Sequence, residues 1–378
     1  MMADFDTQKQ PEICNMRENP FKNLGIPENP VMLAPLAGVS DHPFRRVCQA
    51  LGADLTYVEM ISATALTYHS KRTLEMLCRH DSEPVLGVQV TSRNSEEMAK
   101  SVAIMEPYPF DTVDINMGCP VKKVVKSGCG SAILKDPERV YKTTLAACQN
   151  TDKPVSVKIR LGWDHQSLTW REVSQAAQEA GAKWLTVHGR TRSDSYGDPV
   201  NLEKIAELKA SLDIPVIGNG NLFSKMDGDL MKKATKVDGL MVSRGALGNP
   251  WVFDEIKGKR SSTSLEEWFQ TVSQHIDWQK EAYGDRGIGS VCMRKHILWY
   301  VSGWPHARKI REQIGHTESL SDVRKALDEY AEQLRGEGVT QRYQTQQQSD
   351  DSSRFLWNPV YDMDRSLDRG VGDDGLAN

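Results

Sequence analysis

Residues 154–192 read PVSVKIRLGWDHQSLTWREVSQAAQEAGAKWLTVHGRTR, and this stretch indicates the fold. Two short runs rich in β-branched residues, PVSVKIR and WLTVHGR, flank a segment with a helical pattern over 167–180. A strand, a helix and a second strand in this order predict two parallel strands joined by a crossover helix. The stretch is therefore one unit of an α/β fold with a parallel sheet.

The same alternation continues outward in both directions. Further strand-like runs begin at Val31, Asp54, Pro84 and Asp111 on one side and at 215 and 238 on the other, with helical patterns at 95–105, 137–148 and 202–210. Eight such units within roughly 220 residues predict a closed (β/α)₈ TIM barrel. An open doubly wound sheet is the alternative, but no G-x-G-x-x-G follows the first strand.

A change of pattern after Trp251 predicts a second domain. Segments 265–283, 290–301, 304–314 and 321–334 read as amphipathic helices without strands between them. We therefore expect an N-terminal extension (1–29), a catalytic barrel (30–255), a smaller C-terminal helical domain (262–336) and an acidic tail (337–378). The tail contains QTQQQSDDSS, and such a composition cannot bury a core, so we predict that it is disordered.

Composition excludes several classes of protein. The formal net charge of the 378 residues is −4, which argues against a protein that coats nucleic acid non-specifically. No apolar run approaches the roughly 18 residues of a membrane span. The N-terminus is polar and acidic, unlike a secretory or mitochondrial leader, so we expect a cytoplasmic location, with the nucleus as the alternative. The 7 cysteines include no CxxC pair, which predicts reduced thiols. No obligate protein partner is evident.

Reactive side chains recur at the ends of the predicted strands. Cys119, Lys158, His188, Asn219 and Arg244 each lie at or just past the carboxyl end of one. In a barrel these ends converge on one face, where barrel enzymes place their chemistry. Five residues far apart in the sequence are therefore expected to share one pocket.

Cys119 lies in the most distinctive segment, DINMGCPVKKVVKSGCGSAIL (114–134). Its Gly-Cys-Pro turn is expected to direct a thiol into the barrel mouth. Lys122, Lys123 and Lys126 follow, and a positive field lowers the pKa of a thiol. The alternative is a buried structural cysteine, and Cys129, in a glycine-rich turn, is the local competitor for the reactive role.

Lys158 and His188 are predicted to meet an anion. Alternation in VKIR sends Lys158 and Arg160 to the same side of a strand, and an inward lysine is costly to bury unless an anion meets it. His188 and Arg190 repeat this arrangement in TVHGRTR, although a solvated lysine and a satisfied core histidine are the alternatives. No second histidine lies at metal-ligand spacing from His188, so we predict no metal.

The last two predicted strands end in Gly218-Asn219-Gly220 and Ser243-Arg244-Gly245. Glycines there let backbone N–H groups approach a ligand, and barrels often bind phosphate in the loops after the last two strands. Together the motifs indicate a phosphorylated ligand such as FMN.

These residues resemble the tRNA-dihydrouridine synthases, in particular the bacterial B-type branch. The matching segments are MLAPLAGVSDHPFR (32–45), VQV around Gln89, DINMGCPVKKV (114–124), VKIRLGW (157–163), VHGRTR (187–192), PVIGNG (215–220), LMVSRGALGNPW (240–251) and RKHILWY (294–300). They occur in family order and at family-like spacing.

The resemblance implies an enzyme that binds FMN, takes electrons from NADPH and reduces a uridine flipped out of folded tRNA, with Cys119 as the general acid that protonates C5. It implies cofactor contacts at Pro35, Leu36, Ala37, Gln89, Lys158, His188, Asn219, Gly220, Asn221, Ser243 and Arg244. It also suggests uracil contacts at Asn116 and Arg190. Arg294 and Lys295, with Arg308, Lys309 and Arg311, lie on a basic helix face expected to hold tRNA phosphates.

Two other functions remain open on the sequence alone. One is an FMN-dependent barrel oxidoreductase that acts on a free metabolite, which would share Lys158 and the phosphate loops but would not need a basic helical domain. The other is a non-catalytic tRNA-binding protein, which would not need Cys119. A barrel aldolase using Lys158 as a Schiff base is a more distant alternative.

Overall fold

The computed structural model describes residues 19–342. The predictions for 1–18 and 343–378, which include most of the acidic tail, lie outside the described residues. Nine parallel strands form one sheet: Val31–Leu33 (β1), Thr56–Tyr57 (β2), Ile61–Ser62 (β3), Leu86–Thr91 (β4), Thr112–Asn116 (β5), Val155–Arg160 (β6), Trp184–His188 (β7), Val216–Asn219 (β8) and Gly239–Val242 (β9).

The sheet closes into a barrel. Its strand order is β1-β9-β8-β7-β6-β5-β4-β2, and the short β3 pairs with β4. Leu33 N donates to Leu55 O at 2.9 Å, which joins β1 to the residue before β2. The predicted (β/α)₈ barrel is confirmed, and each of the eight predicted strand segments contains one strand. Among the described strands, only β3, which is two residues long, was not predicted from the sequence.

The helices follow the predicted alternation. They are Pro20–Asn23 (α1), His42–Ala50 (α2), Ala63–Thr67 (α3), Lys71–Glu75 (α4), Ser95–Met105 (α5), Lys122–Lys126 (α6), Pro137–Cys148 (α7), Trp170–Glu179 (α8), Leu202–Ala210 (α9), Lys225–Thr235 (α10), Val252–Ile256 (α11), Leu265–Tyr283 (α12), Ile288–Tyr300 (α13), Ala307–Gly315 (α14) and Leu320–Gly336 (α15). None of these described helices is both long and apolar enough to cross a membrane.

Apolar side chains close the amino end of the barrel. Met32, Trp184, Ile217 and Met241, from four different strands, pack together in a buried cluster. Phe21 of α1 joins them, with its ring centroid 5.3 Å from that of Trp184. Because this end is filled with side chains, space for a ligand remains at the carboxyl ends of the strands.

Helices α12 to α15 surround a core of their own, which includes Trp268, Ile297 and Leu327. The packed chain continues past α15, because Leu265 N donates to Thr340 O at 2.9 Å. Arg342 then donates to Gly248 O at 3.2 Å. Contacts of the helical part therefore continue from the end of α15 through Arg342.

Candidate active site

A pocket opens at the carboxyl ends of the barrel strands, and it brings together thirteen residues singled out from the sequence. They are Pro35, Leu36, Ala37, Gln89, Asn116, Cys119, Lys158, His188, Asn219, Gly220, Asn221, Ser243 and Arg244. These residues come from segments along most of the barrel sequence. The convergence expected from the parallel strand ends is therefore present.

A chain of hydrogen bonds fixes the turn that carries Cys119. The Asn116 amide oxygen accepts from Cys119 N at 2.9 Å, and its amide nitrogen donates to Gln89 Oε1 at 2.8 Å. Gln89 in turn donates to Asp114 Oδ2 at 2.7 Å, and Ser156 Oγ donates to Asp114 Oδ1 at 2.6 Å. Burial raises the pKa of Asp114 to about 6. The Cys119 turn is thus tied to three barrel strands.

The Cys119 thiol is held in its protonated form. Burial raises its pKa above the ordinary value, and the Val121 N–H, Arg160 and Lys158 offset that effect only in part. The expectation that lysines after the turn lower this pKa is therefore wrong. The three lysines of α6 are exposed to solvent, where their field is screened. A neutral thiol in a pocket can serve as a proton donor.

Lys158 is a partly buried cation with a neutral partner. Its Nζ donates to Asn219 Oδ1 at 3.1 Å. Burial and the neighbouring Arg160 lower the pKa of Lys158 to about 8. Asn219 is itself oriented by Ser243, whose Oγ accepts from the amide nitrogen at 3.0 Å. The side-chain amide of Asn219 therefore presents its oxygen to the lysine, and Lys158 forms no ion pair with a carboxylate among the described residues, although the charge of Asp114 acts on it.

Positive charge dominates the pocket. Arg160 and Arg244 line it together with Lys158, and none of the described residues that line it is acidic. The Arg244 guanidinium lies 4.3 Å from the centroid of the Tyr196 ring, and the Arg160 guanidinium lies 5.9 Å from it. Three cations that share a partly dry pocket repel one another, so the pocket is suited to an anionic ligand.

The loops after β8 and β9 touch through their backbones on one side of the pocket. A Cβ at Gly245 would lie 1.9 Å from Leu222 O, so only glycine fits there. Gly220 and Asn221 have φ values of 122° and 49°, in the left-handed region. Turns of this kind present backbone N–H groups to an anion. This geometry suits the phosphate site predicted from the two glycine motifs.

Comparison with known proteins identifies the family. The family model of the dihydrouridine synthases matches residues 32–335. The chain belongs to the dihydrouridine synthase family. It is 36% identical over 282 residues to tRNA-dihydrouridine synthase B of Pasteurella multocida (strain Pm70), covering 73% of this chain and 85% of that one. The family resemblance seen in the sequence is confirmed.

Two further relatives and one solved structure extend this result. Identity is 37% to the probable tRNA-dihydrouridine synthase 1 of Synechocystis, over 79% of this chain and 85% of that one. Identity is 34% to tRNA-dihydrouridine synthase B of Pseudomonas putida, over 82% of this chain and 96% of that one. A solved 6-hydroxypseudooxynicotine amine oxidase of Pseudomonas geniculata N1 matches with a TM-score of 0.50 and 13% identity, over 76% of this chain and 56% of that one. At that identity only the fold is compared.

Arg190 does not line the pocket of this dihydrouridine synthase, contrary to the prediction of a uracil contact. The side chain is buried, and its Nη2 donates to Tyr196 O and to Asn221 Oδ1, each at 3.0 Å, and also to Asp198 O. Its Nη1 lies 3.2 Å from His188 Nε2. Because these acceptors engage the guanidinium, Arg190 positions the loop that carries Tyr196.

His188 lies in the pocket as a neutral ring. Burial, followed by the charges of Arg160 and Lys158, lowers its pKa well below the ordinary value. Since Arg190 can only donate, His188 Nε2 accepts, and Nδ1 carries the ring proton. His188 can therefore donate a hydrogen bond to an anion without adding a charge.

Arg294 and Lys295 lie on α13, outside the pocket of this family member. Arg294 Nη1 donates to Thr317 O at 2.6 Å, which ties α13 to the segment before α15. Lys295 acts on Glu59, where its charge opposes the rise in pKa that burial causes. Arg294, predicted to contact tRNA phosphates, thus also makes a structural contact within the helical part.

Sequence reasoning missed several residues that line the pocket, among them Arg160, Tyr196, Phe223 and Met60. Arg160 could have been found, because strand alternation already placed it on the same side as Lys158. Tyr196 lies in SDSYGDP, a loop whose path no local pattern specifies. Its position depends on Arg190, which is bonded to the loop carbonyls.

Proposed function

We propose that this protein is a tRNA-dihydrouridine synthase that binds FMN, uses NADPH as the reductant and reduces the C5–C6 double bond of a uridine in tRNA. The observation that carries the proposal is the protonated Cys119 thiol in the same pocket as Lys158, Arg160 and Arg244. Membership of the dihydrouridine synthase family supports it. The combination provides a proton donor and a place for an anionic cofactor within one site.

The residues present fit FMN. A phosphate needs positive charge and hydrogen-bond donors. Arg244 supplies the charge, and the neutral His188 ring and the backbone of the turn at Gly220 and Asn221 supply donors. The flavin ring would lie near Lys158, whose cation lacks an acidic partner in the pocket. Pro35, Leu36, Ala37, Gln89, Asn219 and Ser243 complete the proposed cofactor contacts. When bound, FMN supplies the two electrons that reduce the uracil, having received them from NADPH.

Cys119 completes the reduction of the uracil by proton transfer. Delivery of a hydride to C6 would leave enolate-like negative charge on the uracil that extends to C5, and the Cys119 thiol would donate its proton to C5. The resulting thiolate is stabilised by the Val121 N–H and by the charges of Arg160 and Lys158, which favour that form. Solvent then restores the proton on sulfur. A raised pKa keeps the Cys119 thiol protonated before each turnover.

Asn116 and Arg160 are the proposed contacts to the uracil. Asn116 binds Cys119 N and Gln89 with its amide, so it is fixed in place beside the acid. Arg160 replaces Arg190 in this role because its guanidinium lines the pocket, with Nη1 bonded to Thr191 O at 2.6 Å. A rigid guanidinium near the uracil carbonyls would stabilise the charge that develops there.

We propose that the barrel (30–255) is catalytic and that the helical part (262–336) binds tRNA. On α14, Arg308 and Lys309 are exposed, whereas Arg294 is bonded to Thr317 O. Arg308 and Lys309 are therefore better placed than Arg294 to contact phosphates, with Lys295 and Arg311 as further candidates. A tRNA substrate suits a cytoplasmic enzyme.

The proposal is tested by product analysis with matched substrates. The full chain is incubated with FMN, NADPH and either unmodified tRNA or free uridine monophosphate, and the nucleosides are analysed by mass spectrometry. We expect a uridine that gains two hydrogens in tRNA and no reaction of the free nucleotide. Reduction of the free nucleotide at an equal rate would favour an oxidoreductase of free metabolites. Binding of tRNA without any product would favour a non-catalytic tRNA-binding protein.

A further inference from the structure

A second group of buried polar side chains lies where helix α2 of the barrel packs against helices α12 and α13. Asp41 caps α2, accepting from Phe44 N at 3.2 Å, while His275 lies on α12 and His296 on α13. One potential ligand atom from each of the three residues lies within 4.8 Å of the other two. Both histidines are buried, and none of the three residues lines the pocket described above.

Each imidazole has one engaged nitrogen and one without a hydrogen-bond partner among the described residues. His275 Nδ1 lies 3.1 Å from Tyr300 Oη, and its Nε2 has no partner. His296 is hydrogen-bonded to the backbone of Val39, and its Nδ1 has no partner. Histidines that bind metals are held in this way, with one nitrogen bonded to a protein oxygen and the other directed at the ion.

Gln279 adds a further unsatisfied acceptor. Its amide nitrogen donates to Asp41 Oδ2 at 3.2 Å, and its buried Oε1 has no partner among the described residues. When His275 Nδ1–H donates to Tyr300 Oη, its Nε2 offers a lone pair to a ligand. Buried acceptors without donors are costly, and such groups in a folded protein require a partner.

We propose that Asp41, His275 and His296 bind a divalent transition-metal ion, with Zn²⁺ the best match and Gln279 Oε1 as a candidate fourth ligand. Two imidazoles and a carboxylate are a common zinc ligand set. With Zn–N distances of about 2.0 Å, tetrahedral ligand atoms lie roughly 3.3 Å apart. Ligand atoms that lie within 4.8 Å of one another would therefore approach by up to roughly 1.5 Å on binding. The four residues are called the junction cluster below.

The junction cluster joins parts of the chain that are far apart in sequence. Asp41 belongs to the loop that follows β1, whose residues Pro35 to Ala37 line the pocket, and the histidines belong to the helical part. A metal ion would therefore cross-link the barrel to the helices that are proposed to hold tRNA. This role is structural and does not depend on the proposed reaction.

The experiment is metal analysis of the full chain, purified without a metal-affinity tag. After dialysis, metal content is measured by plasma mass spectrometry, and Zn²⁺ or Co²⁺ alone is added to chelator-treated protein. We expect about one ion per chain, as in other closed protein sites. We also expect Co²⁺ bands of a four-coordinate site in the difference spectrum against the cobalt-free protein. Removal of the ion by the chelator should lower the melting temperature.

Matched variants assign the ion to the junction cluster. His275→Gln and His296→Gln should each lose the ion, whereas His316→Gln, at an exposed histidine of the same helical part, should retain it. If a cluster variant does not fold, the chelator and Co²⁺ measurements on the unmodified chain still decide the question. An ion retained equally by all variants overturns the proposal. So does an unmodified chain that binds neither Zn²⁺ nor Co²⁺, in which case an ordered water fills the cluster.

Discussion

The pocket and the junction cluster both contain polar groups that lack a complement, but the groups differ in kind. In the pocket, Lys158, Arg160 and Arg244 bring positive charge together without an acidic residue in the lining. In the junction cluster, His275 and His296 each have a buried ring nitrogen without a hydrogen-bond partner among the described residues, and both rings lie close to the Asp41 side chain. One region concentrates positive charge, and the other concentrates buried polar atoms that lack a partner.

The contrast shows what each region is built to receive. A folded protein satisfies nearly all of its buried polar groups, so a cluster of unsatisfied groups of one kind marks a place for the complementary kind. The pocket is completed by an anion and the junction cluster by a cation. The pocket opens at the carboxyl ends of the strands, whereas the two histidines and Gln279 of the junction cluster are buried between helices.

The largest expected effect comes from removing the acid of the pocket. Cys119→Ala should lower the rate of dihydrouridine formation by roughly 10² to 10⁴, the usual contribution of a general acid. Bound FMN and its reduction by NADPH should stay unchanged, because the thiol acts on the uracil. Single-turnover analysis of tRNA nucleosides measures the first quantity and stopped-flow absorbance the second.

Cys129→Ala is the matched control, since this cysteine lies in the neighbouring turn and does not line the pocket. It should retain activity close to that of the unmodified chain. Equal loss in both variants would mean that the turn is merely disturbed and that Cys119 is not the acid.

The pH dependence of the unfolding free energy should reveal the lowered pKa of Lys158. Lys158 has its pKa lowered from 10.5 to about 8 in the folded chain, so between these values the unfolded state binds more protons. Unfolding free energy of the ligand-free protein should therefore rise with pH across this window, by up to about 1.4 kcal/mol per pH unit or about 3 kcal/mol in all. Below pH 8 the free-energy penalty of keeping Lys158 charged in the folded state is fully present.

Denaturant unfolding of the unmodified chain and of Lys158→Met at several pH values measures this difference. The methionine variant should lack the extra rise, and saturating FMN should reduce it in the unmodified chain, because an anion favours the charged lysine. Identical pH profiles for the two proteins would mean that Lys158 has an ordinary pKa and that the pocket is not short of an anion.

Cofactor affinity should fall in the same variant. A hydrogen bond to a charged group contributes about 1.5–3 kcal/mol, so Lys158→Met should weaken FMN binding by roughly 10-fold to 100-fold. Fluorescence titration of the apoprotein with FMN gives the dissociation constants. Lys204→Met, which removes a lysine paired with Glu207 outside the pocket, should bind FMN as the unmodified chain does. Unchanged affinity in Lys158→Met would place the cofactor elsewhere.

The smallest effect is expected on the helical side. Arg294→Met removes the hydrogen bond to Thr317 O and should lower the unfolding free energy by about 1 kcal/mol. The KM for tRNA should change less than in Arg308→Met, because Arg308 is exposed on α14. A larger KM change in Arg294→Met would restore Arg294 as a tRNA contact.

Much of the barrel could be predicted from the sequence because its strands and helices follow local periodicity. Helix α5 has the predicted bounds, Ser95–Met105, and β6 lies within the predicted run from 154 to 160. The residues of the pocket could be predicted because each lies at a strand end, and parallel strand ends converge. The bounds of each strand and helix, and therefore the position of a residue at a strand end, depend on residues close together in the chain.

The remaining features depend on contacts between distant segments. Arg190 was predicted to face a ligand, but the carbonyls of the Tyr196 loop occupy its guanidinium. The field of nearby lysines was expected to lower the pKa of Cys119, but burial outweighs it. The junction cluster is formed by segments on opposite sides of the barrel sequence, so no local pattern indicates it.

The central claim, that the pocket couples a bound flavin to tRNA, is tested most directly by anaerobic absorbance of the purified full chain. The account predicts oxidised-flavin bands that bleach with NADPH and recover when unmodified tRNA is added, but not when dihydrouridine-containing tRNA is added. Bands that bleach and then ignore unmodified tRNA, or a protein that cannot be loaded with FMN, would contradict it.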